Sequence, residues 1–180
     1  HSFTPRNGKH HAAVRCFGYQ QRCITRQVRP TENQVNALTF EESDFGRTLW
    51  VATSEGVSEV LFDVDGIKGA TSYTEDEGLL NKEVSDVAID SRGGKFFASA
   101  DGITWFHEGT MEHLMFQDYY ASMVNKPVRQ LELYGDTLYL AQDGGIGRLV
   151  SGVDGITGAS RWTSEYGITP YSENIRSIKV

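Results

Sequence analysis

The sequence predicts an all-β fold of the β-propeller class, with about four blades of antiparallel strands. Three observations lead there. Four segments open with the same kind of strand: QVNALTF from Gln34, EVSDVAID from Glu83, PVRQLELY from Pro127 and NIRSIKV from Asn174. Their leading aliphatics, Val35, Val84, Val128 and Ile175, are spaced by 49, 44 and 47 residues. A period in this range with several short strands per unit is that of a propeller blade. Second strands follow in register at TLWVAT, KFFASA and TLYLAQ, and each leads through a glycine turn to a third: EGVSEVLF, DGITWF and GGIGRLV. Lastly, VDGIKGATS from Val64 recurs as VDGITGASR from Val153, an offset of 89, or two blades.

Taken in order, residues 1–10 form a basic arm, and residues 11–180 the propeller domain. Residues 1–30 carry Arg6, Lys9, Arg15, Arg22, Arg26 and Arg29 and no Asp or Glu, whereas the rest holds 11 Lys/Arg against 24 Asp/Glu. Such an arm either folds back onto its acidic body or binds a partner. AAVRCF and CITRQV offer two strands joined by a turn at Tyr19-Gln20, which would set Cys16 opposite Cys23. A disulfide there fits a secreted or extracellular chain, and two buried thiols would fit the cytosol; the disulfide is the preferred reading.

Three blades then span about residues 31–80, 81–127 and 128–170. Their inner strands are expected at about 34–40, 83–89 and 128–133, and their fourth strands at ATSYT, MEHLMF and ASRWT. In the second strands, Trp50, Phe97 and Tyr139 are read as equivalent, with Leu49, Phe96 and Leu138 on the other side. The last segment, at about 174–179, reads as an inner strand without outer partners, and residues 11–30 as outer strands without an inner one. Joining residues 11–30 to 171–180 in a composite blade would close the ring and remove exposed sheet edges. If the propeller is instead incomplete, it calls for further blades or an oligomer.

Composition narrows the function. The chain has 180 residues, 39% of them hydrophobic and 11% aromatic, with 19 Gly and only 4 Pro. This is too apolar for a disordered chain, and no run approaches the roughly 20 apolar residues of a membrane span. A net charge of −7 disfavours nucleic acid as a partner.

At these residues two family resemblances enter. LWVATSEGVSEV, DEGLLNKEVSDVAIDSRG and FFASADGITWF resemble the propeller repeats of two-component sensor proteins, marked by a Gly-Leu, strand, Asp-x-x-Gly, strand, Gly-Leu cadence. Gly152, Asp154, Gly155, Thr157, Gly158 and Trp162 resemble the Ala-x-Asp-Ala-x-Thr-Gly-x-x-x-Trp docking motif of quinoprotein (PQQ-type) propellers, with Gly in both Ala positions. The earlier copy keeps Asp65, Gly66, Gly69 and Tyr73 but has Lys68 in place of Thr. The resemblances cover residues 31–180 and imply a fold, not a reaction. Within it, Asp65 and Asp154 are expected to accept turn N–H groups, and Tyr73 and Trp162 to lie over a neighbouring blade.

Signals for chemistry are sparse. His107 and His113 in HEGTMEH are six apart in an expected hairpin, unlike the His-Glu-x-x-His helix of zinc proteases. Asp63, Asp65, Glu75, Asp76 and Glu77 read as solvated turn charges, with calcium the alternative. No Gly-x-Ser-x-Gly elbow or phosphate loop occurs; GGIG at Gly144 precedes a strand. The expected function is therefore a non-catalytic recognition module, binding a protein, glycan or small ligand through loops on one face. The alternative is a hydrolase- or lactonase-type enzyme with a metal-assisted site at the central channel. Asn36, Asp86, Gln130, Glu132 and Arg176 on the inner strands are the candidate ligand-binding residues for that channel.

Overall fold

Short alternating apolar and polar runs, divided by glycines, give twelve strands in the computed structural model, which describes residues 34–43, 46–114, 127–152, 155–163, 175, 178 and 179. The first sheet contains β1 (Val35–Ser43), β2 (Gly46–Thr53), β3 (Gly56–Asp63) and β4 (Gly66–Tyr73). The second contains β5 (Val84–Ile89), β6 (Lys95–Ser99), β7 (Ile103–His107) and β8 (Thr110–Leu114). The third contains β9 (Val128–Tyr134), β10 (Thr137–Gln142), β11 (Gly145–Gly152) and β12 (Gly155–Trp162). Each is an antiparallel meander, and the helical content of the described residues is one 3-10 turn, Glu75–Glu77. The three sheets are successive propeller blades, and β1, β5 and β9 are the inner strands where the repeat places them.

The blades share a defect at one position. The pairing of β1 with β2 shifts between Val35 and Ala37, that of β5 with β6 between Val84 and Asp86, and β9 with β10 shifts where Gln142 meets Val128. One residue per inner strand is thus left out of the ladder: Asn36, Ser85 and Arg129. A bulge of this kind re-aims the side chain it carries.

Sheets stack face to face through two apolar layers. Trp50, Ala52 and Val57 of the first blade meet Val84, Val87 and Phe97 of the second, with Leu79 from the connector between them. Phe96, Ala98, Ile103, Trp105 and Leu114 of the second meet Val128, Leu131, Leu138, Leu140 and Leu149 of the third. Tyr73 reaches across as expected, stacking on Trp50 at 5.9 Å and meeting Phe106 of the second blade at 5.5 Å. Trp162 instead packs on Tyr139 of its own blade, at 5.9 Å.

These layers correct the second-strand register. Trp50 faces the following blade, whereas Phe97 faces the preceding one, so the two meet from opposite sides of one layer. The inner-strand partners agree: Ala37 pairs with Ala52, Asp86 with Ala98 and Gln130 with Ala141. The residues equivalent to Trp50 are therefore Phe96 and Tyr139. The middle blade's FF pair hides the slip, because a Phe occupies either frame.

The turns hold a second correction. Asp65 is not the acceptor: Asp63 Oδ1 takes the Asp65 N–H at 2.8 Å, and the Asp65 carboxylate lies in solvent beside Lys68. That backbone bond is the main reason the Asp63 carboxyl is held below its ordinary value. The comparable device in the second blade is buried. Asp90 Oδ1 accepts from Arg92 N at 2.9 Å and Gly94 N at 2.8 Å, while Arg92 Nη2 donates to Ser151 Oγ of the third blade at 2.8 Å. Asp154, Cys16 and Cys23 lie outside the described residues.

Candidate functional site

Where the first two inner strands begin, the bulge aims a side chain at the next blade. Asn36 Nδ2 donates to Val84 O at 2.7 Å, and Ser85 Oγ donates to Val128 O at 2.5 Å. Two equivalent positions and two equivalent acceptors thus form the same clasp. A second clasp runs one residue further along. Asp86 Oδ2 accepts from Leu131 N at 2.7 Å, and Gln130 Oε1 accepts from Ile178 N at 2.9 Å. Asp86 also accepts from Val87 N through its other oxygen, at 2.8 Å. Burial raises the Asp86 carboxyl above its ordinary value, the Leu131 and Val87 N–H groups oppose this, and the charge of Glu132 adds to the rise.

Of the sequence-chosen channel residues, Asn36 and Asp86 are therefore each bonded to the next blade's inner strand, and Gln130 to Ile178 of the C-terminal segment. Glu132, half-buried on β9 and paired with Tyr139 across the sheet, is near enough to bias Asp86. Arg176 lies outside the described residues. The acidic residues considered for calcium separate into two groups. Asp63 and Asp65 flank one end of β4, and Glu75, Asp76 and Glu77 follow its other end, an eight-residue strand away. Such a strand spans about 26 Å. Lys68 sits on the first group, and Glu77 accepts the Thr74 N–H in a capping box in the second. His107 and His113 stand on opposite faces of the second blade. His107 stacks on Trp105 at 3.9 Å, on the side of the third blade, while His113 pairs with Thr104 and its Nε2 lies 2.9 Å from Gly78 O. Among the described residues no three His, Cys, Asp or Glu are grouped to hold a metal ion.

The same end of the blades carries the turns between second and third strands and the connector from β4 to β5. Three polar pairs bridge these loops. Lys82 Nζ lies 3.1 Å from Glu55, Asn81 Nδ2 donates to Asp101 Oδ2 at 2.6 Å, and Arg129 reaches both oxygens of Asp143 at 2.8 and 3.1 Å. All three bonds are exposed, and each couples an inner-strand entry to a loop tip. The sequence reading missed Ser85, Arg129 and these loop residues. Aligning the residue after each leading aliphatic (Asn36, Ser85, Arg129 and Arg176) would have found the first two.

No family model and no curated protein matches the chain. Solved structures do. The extracellular domain of a protein described as a hybrid two-component system of B. thetaiotaomicron superposes with a TM-score of 0.56 at 15% identity, over 76% of this chain and 18% of that one. A streptogramin B lyase superposes with a TM-score of 0.51 at 14% identity, over 74% of this chain and 42% of that one. Both matches are of fold, and the chain spans less than half the length of either. Among the described residues no helix is long and apolar enough to cross a membrane.

Proposed function

We propose that this β-propeller repeat protein is a non-catalytic recognition module, binding a protein, glycan or small ligand through the loops at the inner-strand entries. One observation carries the reading: the exposed Lys82–Glu55, Asn81–Asp101 and Arg129–Asp143 pairs sit together at one end of the blades. They offer both charge signs and an amide on a scaffold held rigid by the inter-strand clasps. Exposed pairs of this kind stabilise a fold weakly, roughly 0–1 kcal/mol, and their groups can exchange intramolecular partners for a ligand's at little cost. The extracellular neighbour supports an extracellular setting, which also suits a Cys16–Cys23 disulfide.

The test is binding of the full chain to an array of defined glycans and acidic or basic peptides. Retained probes should be lost from an Arg129→Glu, Lys82→Glu double variant and kept by Lys68→Glu, which lies on β4 by the β3–β4 turn, at the opposite end of the first blade. Equal loss in both variants would move the site away from these loops. Ester or lactone hydrolysis abolished by Glu132→Gln would replace recognition with a channel enzyme.

A further inference from the structure

One face of the first blade is an inter-blade surface that no described residue covers. The position of Leu38 shows it. Its equivalents, Val87 and Leu131, are each 5% exposed because the preceding blade covers them, whereas Leu38 is 57% exposed. Val51 is half-buried where its equivalents Phe97 and Leu140 are fully buried. Phe40, 64% exposed, lies on the same face, edge-on to Phe62 at 6.1 Å, and pairs across the sheet with Leu49. Large apolar side chains exposed together on one sheet face mark a contact surface. Its sequence is that of an inter-blade layer, not of a solvated sheet.

We propose that this face is covered by a fourth blade of the same chain, with residues 174–180 as its inner strand and residues 11–30 as its outer strands. Two further observations select this occupant. The first is the clasp on Ile178. Ile178 stands three residues after Ile175, as Leu131 stands three after Val128, and its N–H is held by Gln130 as the Leu131 N–H is held by Asp86. Ile178 thus stands beside β9 where the next inner strand is called for. A lone inner strand leaves most of a four-stranded face bare, so outer strands have to come from elsewhere.

The second observation is chain order. Each blade ends on its outermost strand, and the chain then enters the next blade's inner strand: Tyr73 leads to Val84, and Leu114 to Val128. Residues 23–28, CITRQV, precede Val35 in the same sense. That order makes them the outermost strand of the blade before the first. Charge is complementary, since residues 1–30 hold six Lys/Arg and no acid, while residues 34–77 hold ten Asp/Glu and two Lys/Arg. Screening limits that attraction to short range, so strand pairing and burial of Leu38, Phe40 and Val51 supply most of the closure.

Hydroxyl-radical footprinting of the full chain tests this, with each residue's rate normalised to the urea-unfolded chain and the mass measured by sedimentation. Phe40 should react about tenfold more slowly than the similarly exposed Tyr134 in a monomeric protein. Ile24→Asp, which puts a charge in the proposed outer strand, should restore Phe40 labelling while Trp105 stays protected; Ile24→Ser should do so partially if the first variant unfolds. Phe40 labelled as fast as Tyr134 in the unaltered monomer would overturn the proposal, because the face would then be bare. Protection accompanied by a dimer mass would overturn it in favour of a second copy, and protection unchanged in both Ile24 variants would exclude residues 11–30 as the cover.

Discussion

Single residues recur in this fold because one geometric demand recurs. The glycine at the entry to each third strand has a positive φ: +133° at Gly56, +150° at Gly102 and +157° at Gly145. A Cβ at these positions would stand 2.3 Å from Tyr73 O, 2.9 Å from Leu114 O and 2.4 Å from Trp162 O, each the last carbonyl of the blade's fourth strand. The outermost strand closes over the turn, and only a glycine leaves room. Gly56→Ala and Gly145→Ala should each cost about 2–3 kcal/mol in chemical denaturation, combining strain with overlap; a loss under about 0.5 kcal/mol would refute the close approach. Asp86 is bound at both oxygens, so Asp86→Asn turns an NH₂ toward a backbone N–H and should cost about 1–3 kcal/mol. Its pH behaviour follows from sign. Burial raises the folded-state pKa above 3.8, so the folded chain holds this proton more tightly than the unfolded one. The stabilisation is complete below the unfolded value and is lost as pH rises through the folded one. Asp86 therefore opposes acid unfolding, and a carboxyl NMR titration should place its midpoint above 3.8.

At the scale of elements, hairpin chemistry and the clasps set strand geometry. The β7–β8 turn has positive φ at both central residues, 48° at Glu108 and 76° at Gly109, the two-residue turn that matches strand twist. Glu108 is the one described non-glycine residue with positive φ. Glu108→Gly should raise stability by about 0.5–1 kcal/mol, read from the denaturation midpoint. A fall would mean that the glutamate makes a compensating contact. Sequence reading placed this hairpin at HEGTMEH and the first three inner strands close to their observed starts, because turn glycines and alternation act locally. It mistook Phe97 for the counterpart of Trp50, since adjacent aromatics carry no signal of which face each takes. Only the shared bulge, a feature of strand pairing, fixes that frame.

For the whole molecule, stability resides between blades. Trp50 is 1% exposed and meets Tyr73, Phe97 and Phe106 within 6.0 Å, with the Lys95 ammonium 5.4 Å from its ring. Trp50→Ala should cost about 3–5 kcal/mol and, because the layer belongs to two blades, should lower hydrogen-exchange protection in β5 and β6 as well as β2. Protection lost from the first blade alone would show that the blades unfold independently.

What the sequence by itself determined was the unit: a β meander of mid-forties period, its glycine turns, its inner strands and the propeller they build. Period, alternation and turn residues are properties of neighbours along the chain, so they survive without any long-range contact. The tertiary structure decided which polar residues are taken up by the scaffold. Asn36, Asp86 and Gln130 read as channel ligands because they are polar on inner strands, but their partners lie 45 to 48 residues away, on the next blade or the C-terminal segment. The pairing of Arg129 with Asp143, and the face around Leu38 and Phe40 that no described residue covers, are likewise set by how sheets stack, which no local pattern encodes.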